Sequence, residues 1–322
     1  MTDPQQASDD PPGSDDPSPS LSPTAPATAG PAPTDEPQLT SRRGRRGLAM
    51  ALVAASVALI LGVAAPPFVR DGLSRWHADR ATSHYVAGDL DAALAALDRA
   101  IELSPENPRR YYERGQMRFE ADHWQESLAD FDRLLELNPS FASGYASRAV
   151  VHSRLGQHAQ AIADAHRYVE GRPAWDAEPL NLRAYTRALA GAELTEARDD
   201  IDRAIEIDAR ARSTAAEPAD NPDYLDTRGY VAFRQGELDA ALTDLHLARE
   251  VAVGLEKRDQ ALARQESWSD PRREFIERSH RRRLAVIHHH LALVYTALGE
   301  DEPATEHRHL ADELGYTPEV PE

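Results

Sequence analysis

The sequence predicts an all-α chain, a right-handed α-solenoid of about six helix–turn–helix repeats behind an unstructured tail and one transmembrane helix. Three observations carry this reading. Pro105, Pro139 and Pro173 fall 34 residues apart, and equal spacing of a helix breaker marks a repeat. Small residues recur in the same frame. A charge-free apolar run, Gly47 to Val69, separates the repeats from a proline-rich leader.

Residues 1–41 form the tail. Ten of the first 40 residues are proline, seven are acidic, and Arg42 is the first cation. So little apolar surface cannot offset the ordering entropy, which predicts a solvated, partly polyproline-II segment. The acid-rich, cation-free composition also excludes an organelle transit peptide. Absence of cysteine excludes disulfides and thiolate metal sites, and the single Lys257 against 35 arginines points to a GC-rich bacterial genome.

Residues 42–69 hold the basic flank RRGRR and the apolar run. Gly47 to Ala65 would span about 28 Å as a helix, close to the hydrocarbon thickness of a bilayer. A cleaved signal peptide is the alternative, since Ala-rich h-regions and a twin-arginine start look similar. The long acidic leader and Pro66-Pro67 after the small-residue site favour a retained span in a bacterial cell membrane. Four clustered arginines on the N-terminal side, against the dispersed Arg70, Arg75 and Arg80, predict a cytoplasmic tail and an exported C-terminal domain. A cytoplasmic C-terminal domain is the second reading.

The repeats follow at about 74–107, 108–141, 142–175, 177–209, 222–266 and 270–316, with a short tail at 317–322. The loop position of Gly88 recurs as Asp122, Gly156, Gly191, Gly236 and Gly299. Ala93 recurs as Ser127, Ala161, Ala197, Ala241 and Ala304, and Ala81 as Gly115, Ala149, Ala184, Gly229 and Ala292. Antiparallel helices approach closely only where the facing side chains are small. The loop residue reverses the chain at positive φ, and proline closes each unit. Leu97, Phe131, Ile201 and Leu245 are the expected seam fillers between units, with Arg308 in that place in the terminal copy.

This frame resembles the tetratricopeptide repeat family over Ser74 to Tyr316. The first copy departs from it, with His77, Arg80 and His84 where the family places large apolar residues, and residues 209–221 interrupt the period. The last copies are stretched: one helix from Leu238 past Arg264, then another from an Asp270 N-cap to Leu298. Each would be roughly 40 Å long, and together they predict a projecting hairpin.

The resemblance implies that first helices line a concave groove for a protein or peptide ligand. By frame, the groove would receive Arg109, Tyr112, Gln116 and Phe119, then Val150 and Arg154, then Asn181 and Tyr185, then Asp226, Tyr230, Phe233 and Arg234. Aromatic and arginine side chains are the types that carry binding hot spots, although Phe119 and Phe233 are the ones expected to pack between helices. The family's clamp for acidic C-terminal peptides is excluded, since its positions hold Ala78, Thr82, Tyr112 and Gln116 with no lysine.

His288-His289-His290 does not read as a metal site, because consecutive helical residues diverge by about 100°. His280 to Arg283 with Arg272 and Arg273 give the hairpin a basic end, read as a solvated charged face or a contact for anionic lipid or an acidic partner. Beyond the apolar run, 47 acids face 32 arginines and lysines, which excludes general nucleic-acid binding. There is no P-loop, nucleophile elbow, HExxH or glycine-rich fingerprint. The sequence therefore predicts no enzyme and no cofactor but a membrane-anchored scaffold; an accessory domain of an enzyme complex is the third reading.

Overall fold

The structure, a computed structural model, describes residues 66–212, 220–266 and 268–316. The tail, the Gly47–Ala65 run, the 317–322 end and most of the interruption before Asn221 lie outside the described residues. The chain divides into two units, Met1–Asp71 and Gly72–Glu322. The helical repeats lie in the second, apart from the opening turn of the first helix. Among the described residues every regular element is a helix, and none is long and apolar enough to cross a membrane.

The helices pair into six hairpins: α1 (Pro67–Val86) with α2 (Leu90–Leu103), α3 (Pro108–Glu120) with α4 (Trp124–Leu137), and α5 (Ala142–Arg154) with α6 (His158–Glu170). They continue as α7 (Glu178–Ala190) with α8 (Leu194–Arg212), α9 (Pro222–Gln235) with α10 (Leu238–Glu266), and α11 (Asp270–Leu298) with α12 (Asp301–Glu313). The ends follow from local chemistry. Asn107 and Asn221 cap α3 and α9 by accepting from the N–H of Arg109 and Asp223, and a proline follows each at the first helical position. All six loop positions sit at positive φ, including Asp122 at 59°. Asp is among the few side chains that adopt this region readily, so the missing glycine in the second copy does not disturb the turn.

The small-residue frame is the helix–helix contact itself. Ala93, Ser127, Ala161, Ala197, Ala241 and Ala304 are all buried, as are Ala81, Ala149, Ala184 and Ala292. Glycine stands in this frame at two places where the opposite side chain leaves no room for a methyl group. A Cβ on Gly115 would lie 2.8 Å from the Phe131 ring, and one on Gly229 would lie 2.8 Å from Leu245. The seam fillers Leu97, Phe131, Ile201 and Leu245 are essentially fully buried; such burial contributes about 1.5–3 kcal/mol per side chain. Arg308 is exposed, as befits the last unit.

Two boundaries differ from the sequence reading. Helix α8 runs on to Arg212. Ser269, with extended backbone, takes the N-cap position of α11, and Asp270 is its first helical residue. The long hairpin is present, with α10 and α11 each 29 residues.

Neighbouring first helices also touch: α3 with α5, α5 with α7, α7 with α9 and α9 with α11. No second helix makes comparable contact with another second helix among the described residues. The array therefore closes on the side of the first helices. That side is the concave face.

Candidate functional site

The concave face holds a cleft of about 340 Å³ where α7, α9 and α11 converge. Asn181 and Tyr185 line it from α7, Asp223, Asp226 and Thr227 from α9, and Ser279, Arg282, Arg283, Val286 and Ile287 from α11. Three of these, Asn181, Tyr185 and Asp226, are among the residues the sequence frame assigns to the groove. The Asn181 Oδ1 atom is buried and has no hydrogen-bond partner among the described residues. An unpaired buried acceptor costs about 1–3 kcal/mol, so a ligand N–H that satisfies it gains that much. At the mouth of the cleft Arg283 donates to Asp223 through Nε at 2.6 Å and Nη2 at 3.1 Å.

The other frame residues separate into exposed, half-buried and core. Arg109 is exposed and pairs with Glu113 one turn on, at 2.9 Å. Tyr112 is half-buried, its ring centroid 5.2 Å from that of Phe141 and 6.1 Å from that of Phe131. Its hydroxyl accepts from Gln116 Nε2 at 3.2 Å. Val150 and Arg154 are also half-buried. Phe119 and Phe233 pack against core clusters, as expected of them.

Tyr230, Asp226 and Arg234 correct the sequence reading. Tyr230 and Asp226 are buried because the long helix α11 lies over this part of α9. The His290 ring stacks on Tyr230 at 4.3 Å, and its Nδ1 is 2.9 Å from Asp226 Oδ1. Arg234 is turned inward: Nη1 donates to the Leu189 carbonyl at 3.1 Å and to the Tyr230 hydroxyl at 3.2 Å, tying α9 to the end of α7. None of these three offers a free side chain to a ligand, although Asp226 still borders the cleft.

The histidine triplet is part of this same packing. His288 Nδ1 lies 2.8 Å from His307 Nδ1, so one imidazole donates and the other accepts. His307 stacks on Tyr295, whose hydroxyl meets His246 Nε2 at 2.9 Å. His289 stacks on Tyr316 at 4.1 Å. Burial, reinforced by His307 and Arg249, lowers the His288 pKa to about 4. Burial with His290 and Arg308 does the same for His289, also to about 4. No group of three or more metal-ligating side chains converges among the described residues.

A tetratricopeptide repeat model matches residues 82–146. No curated protein matches the sequence. Among solved structures, PilW, a widely conserved type IV pilus biogenesis factor, is 15% identical with a TM-score of 0.50, covering 76% of this chain and 96% of that one. A tetratricopeptide repeat protein from Parabacteroides merdae is 16% identical with a TM-score of 0.49, covering 77% of this chain and 95% of that one. YrrB, described as a TPR protein with an unusual peptide-binding site, is 22% identical with a TM-score of 0.44, covering 54% and 84%. The matched segment contains the first two closing loops and the Gly115–Phe131 contact, and the other copies repeat that geometry. Residues 82–146 are tetratricopeptide repeat sequence, and the described helices continue the same hairpin fold.

This repeat array has one feature the sequence reading missed. In four successive repeats an arginine of the first helix bridges two aspartates or their equivalent. Arg114 Nε donates to Asp130 of its own repeat at 2.9 Å, and Nη1 to Asp98 of the repeat before at 2.6 Å. Arg148 does the same to Asp164 at 2.7 Å and Asp132 at 2.8 Å. Arg183 binds Asp200 at 2.8 Å, with His166 in the preceding repeat. Arg228 binds Asp244 at 2.8 Å and faces Asp202 at 3.8 Å. The hydrogen bond to Asp164, with the Coulombic pull of Asp164 and Asp132, outweighs desolvation and raises the Arg148 pKa further above its ordinary value. Each bridge links a first helix to both second helices beside it and so ties successive repeats together. The signal was present in the sequence, as Arg–Asp pairs 16 residues apart in three of the four repeats.

Proposed function

We propose that this protein is a scaffold anchored in a bacterial cell membrane by the Gly47–Ala65 segment, holding an extended peptide of a partner protein in its concave face. The cleft between α7, α9 and α11 is the anchoring point for that peptide. The observation that carries the reading is the buried, unpaired Asn181 Oδ1 on the cleft wall, with the half-buried Tyr185 ring beside it. An amide acceptor next to an aromatic face suits a peptide main chain: the N–H meets Oδ1 and a side chain covers the ring. The peptide reading is supported by the family, whose repeats are protein-interaction modules.

The anchor and its orientation rest on the sequence: an uncharged apolar run of bilayer length, with four arginines clustered on its N-terminal side. In this reading the acidic tail is cytoplasmic and the repeat domain is exported.

Selection of peptides from a random library on the immobilised full-length chain tests the groove. Selected peptides should lose most of their affinity for Asn181→Ala and Tyr185→Ala. Peptides that bind both variants as tightly as the wild type would remove the cleft from the reading. For the anchor, alkaline phosphatase fused at the C terminus should be active and the full-length chain should resist carbonate extraction. An inactive fusion would place the repeats in the cytoplasm, and a mature chain starting near Pro66 would show a cleaved signal.

A further inference from the structure

We propose that the outer half of α11 continues the concave groove as a basic strip, and that the partner peptide is acidic along the stretch that lies on it. The proposal rests on the groove reading above. The Arg283–Asp223 pair marks where the first turn of α9 meets α11. From Asp270 to that point α11 advances about 20 Å at 1.5 Å per residue. The opposite face of this stretch packs on the end of α10 and the connection after it, where Asp259, Ala263 and Trp268 meet Ile276 and His280. On the groove side Phe275, Arg278, Ser279 and Arg282 follow one another at helical i, i+3, i+4 and i+7 spacing, all exposed. Phe275 is 53% exposed. The row runs straight into the cleft, which Ser279 and Arg282 themselves border.

Charge supplies the partner's chemistry. Elsewhere in the array arginines are consumed by neighbouring acids, as at Arg109, Arg114, Arg148, Arg187 and Arg228. Between Asp270 and Arg283 six arginines stand against three acids. Arg278 and Arg282 have no hydrogen bond, ion pair or ring contact among the described residues. In a chain of net charge −18, unpaired guanidinium groups aligned with an exposed aromatic ring complement carboxylates spaced around one apolar residue. The carboxylates pair with Arg278 and Arg282, the apolar residue covers Phe275, and the main chain then enters the cleft past Asn181. Such complementarity fixes the direction and register of the partner more than it raises raw affinity.

The test uses the full-length chain and a fluorescent glutamate-rich peptide carrying one leucine. The same peptide with lysine for every glutamate is the control. The acidic peptide should bind and the basic one should not, with affinity falling as salt rises, since exposed pairs are screened. Arg278 lies outside the cleft, so Arg278→Glu isolates the strip. It should weaken binding by about tenfold and leave thermal unfolding unchanged, and Phe275→Ala should weaken it by a smaller factor. Wild-type affinity in Arg278→Glu, or equal binding of the two peptides, overturns the proposal. If Asn181→Ala still abolishes binding in that case, the groove reading stands and only the strip falls. Two other results overturn the proposal by naming a different occupant. In one, phosphatidylglycerol vesicles capture the protein in an Arg278-dependent way while the acidic peptide does not bind. In the other, Arg278→Glu dissociates a self-associated chain.

Discussion

The imidazole of His290 stacks on the ring of Tyr230 with centroids 4.3 Å apart and planes 16° from parallel. The same ring reaches Asp226 through Nδ1. This contact joins the fifth and sixth repeats through their first helices and fills the groove floor at that end. The cleft opens beside it, because Tyr185 stands at a looser 5.8 Å from Tyr230 and keeps one side toward the opening.

Tyr230 and Tyr185 should therefore behave differently although they hold the same place in the repeat frame. Tyr230→Ala removes a buried ring and should cost about 3–5 kcal/mol, comparable with Phe131→Ala. Tyr185→Ala should cost clearly less and act on peptide binding. Chemical unfolding of the three variants decides this. Equal losses for Tyr185 and Tyr230 would make both rings core.

The Asp130 carboxylate accepts from Arg114 and Arg118, and its side chain is only 3% exposed. Removing a buried partner leaves the remaining charges uncompensated, so Asp130→Ala should destabilise by about 3–5 kcal/mol. Asp98, half-exposed at the other end of the Arg114 bridge, should cost no more than about 1 kcal/mol when truncated. A thermal shift for Asp98→Ala as large as that for Asp130→Ala would mean that both arms of the bridge carry equal weight.

The repeat frame was legible because its marks are steric. Ala93 and its equivalents recur since nothing larger fits, and a closing proline has few other uses in such a frame. Phe119 and Phe233 were also legible as packing residues. The Arg–Asp bridges were not read, because Arg114 and Asp130 look like ordinary solvated charges of amphipathic helices until the spacing is compared across copies. Tyr230, Asp226 and Arg234 were misplaced for a different reason. The frame shows which way a side chain points from its own helix, but not that the extended α11 will cover it. The same extension created the cleft wall and its basic continuation, neither of which follows from the frame.

Gly115 tests the steric argument directly. A Cβ there would sit 2.8 Å from the Phe131 ring, which is itself fully buried. Overpacking of this kind costs about 1–3 kcal/mol. Gly115→Ala should fall in that range, and adding Phe131→Leu should recover part of the loss, giving a favourable coupling in the double-mutant cycle. Strict additivity of the two changes would show that the ring moves aside freely.

The histidine cluster sets the response to acid. His288 and His289 titrate near 4 in the folded chain, against an ordinary value of 6.5. The unfolded chain therefore binds more protons at these sites below about pH 6.5, and stability falls with pH in that window. Their contribution is intact above the unfolded pKa and is lost progressively down to about pH 4, where the folded rings protonate too. Burial sets the sign, and the neighbours reinforce it: His307 and Arg249 face His288, while His290 and Arg308 face His289. One variant isolates the histidine share. His289→Gln keeps a polar side chain and removes one titration. Its unfolding temperature, measured relative to wild type, should rise as pH is lowered from about 7 to 4. A difference that stays constant across this range would mean that His289 titrates as it does in the unfolded chain, and that its stacking on Tyr316 does not exclude the proton.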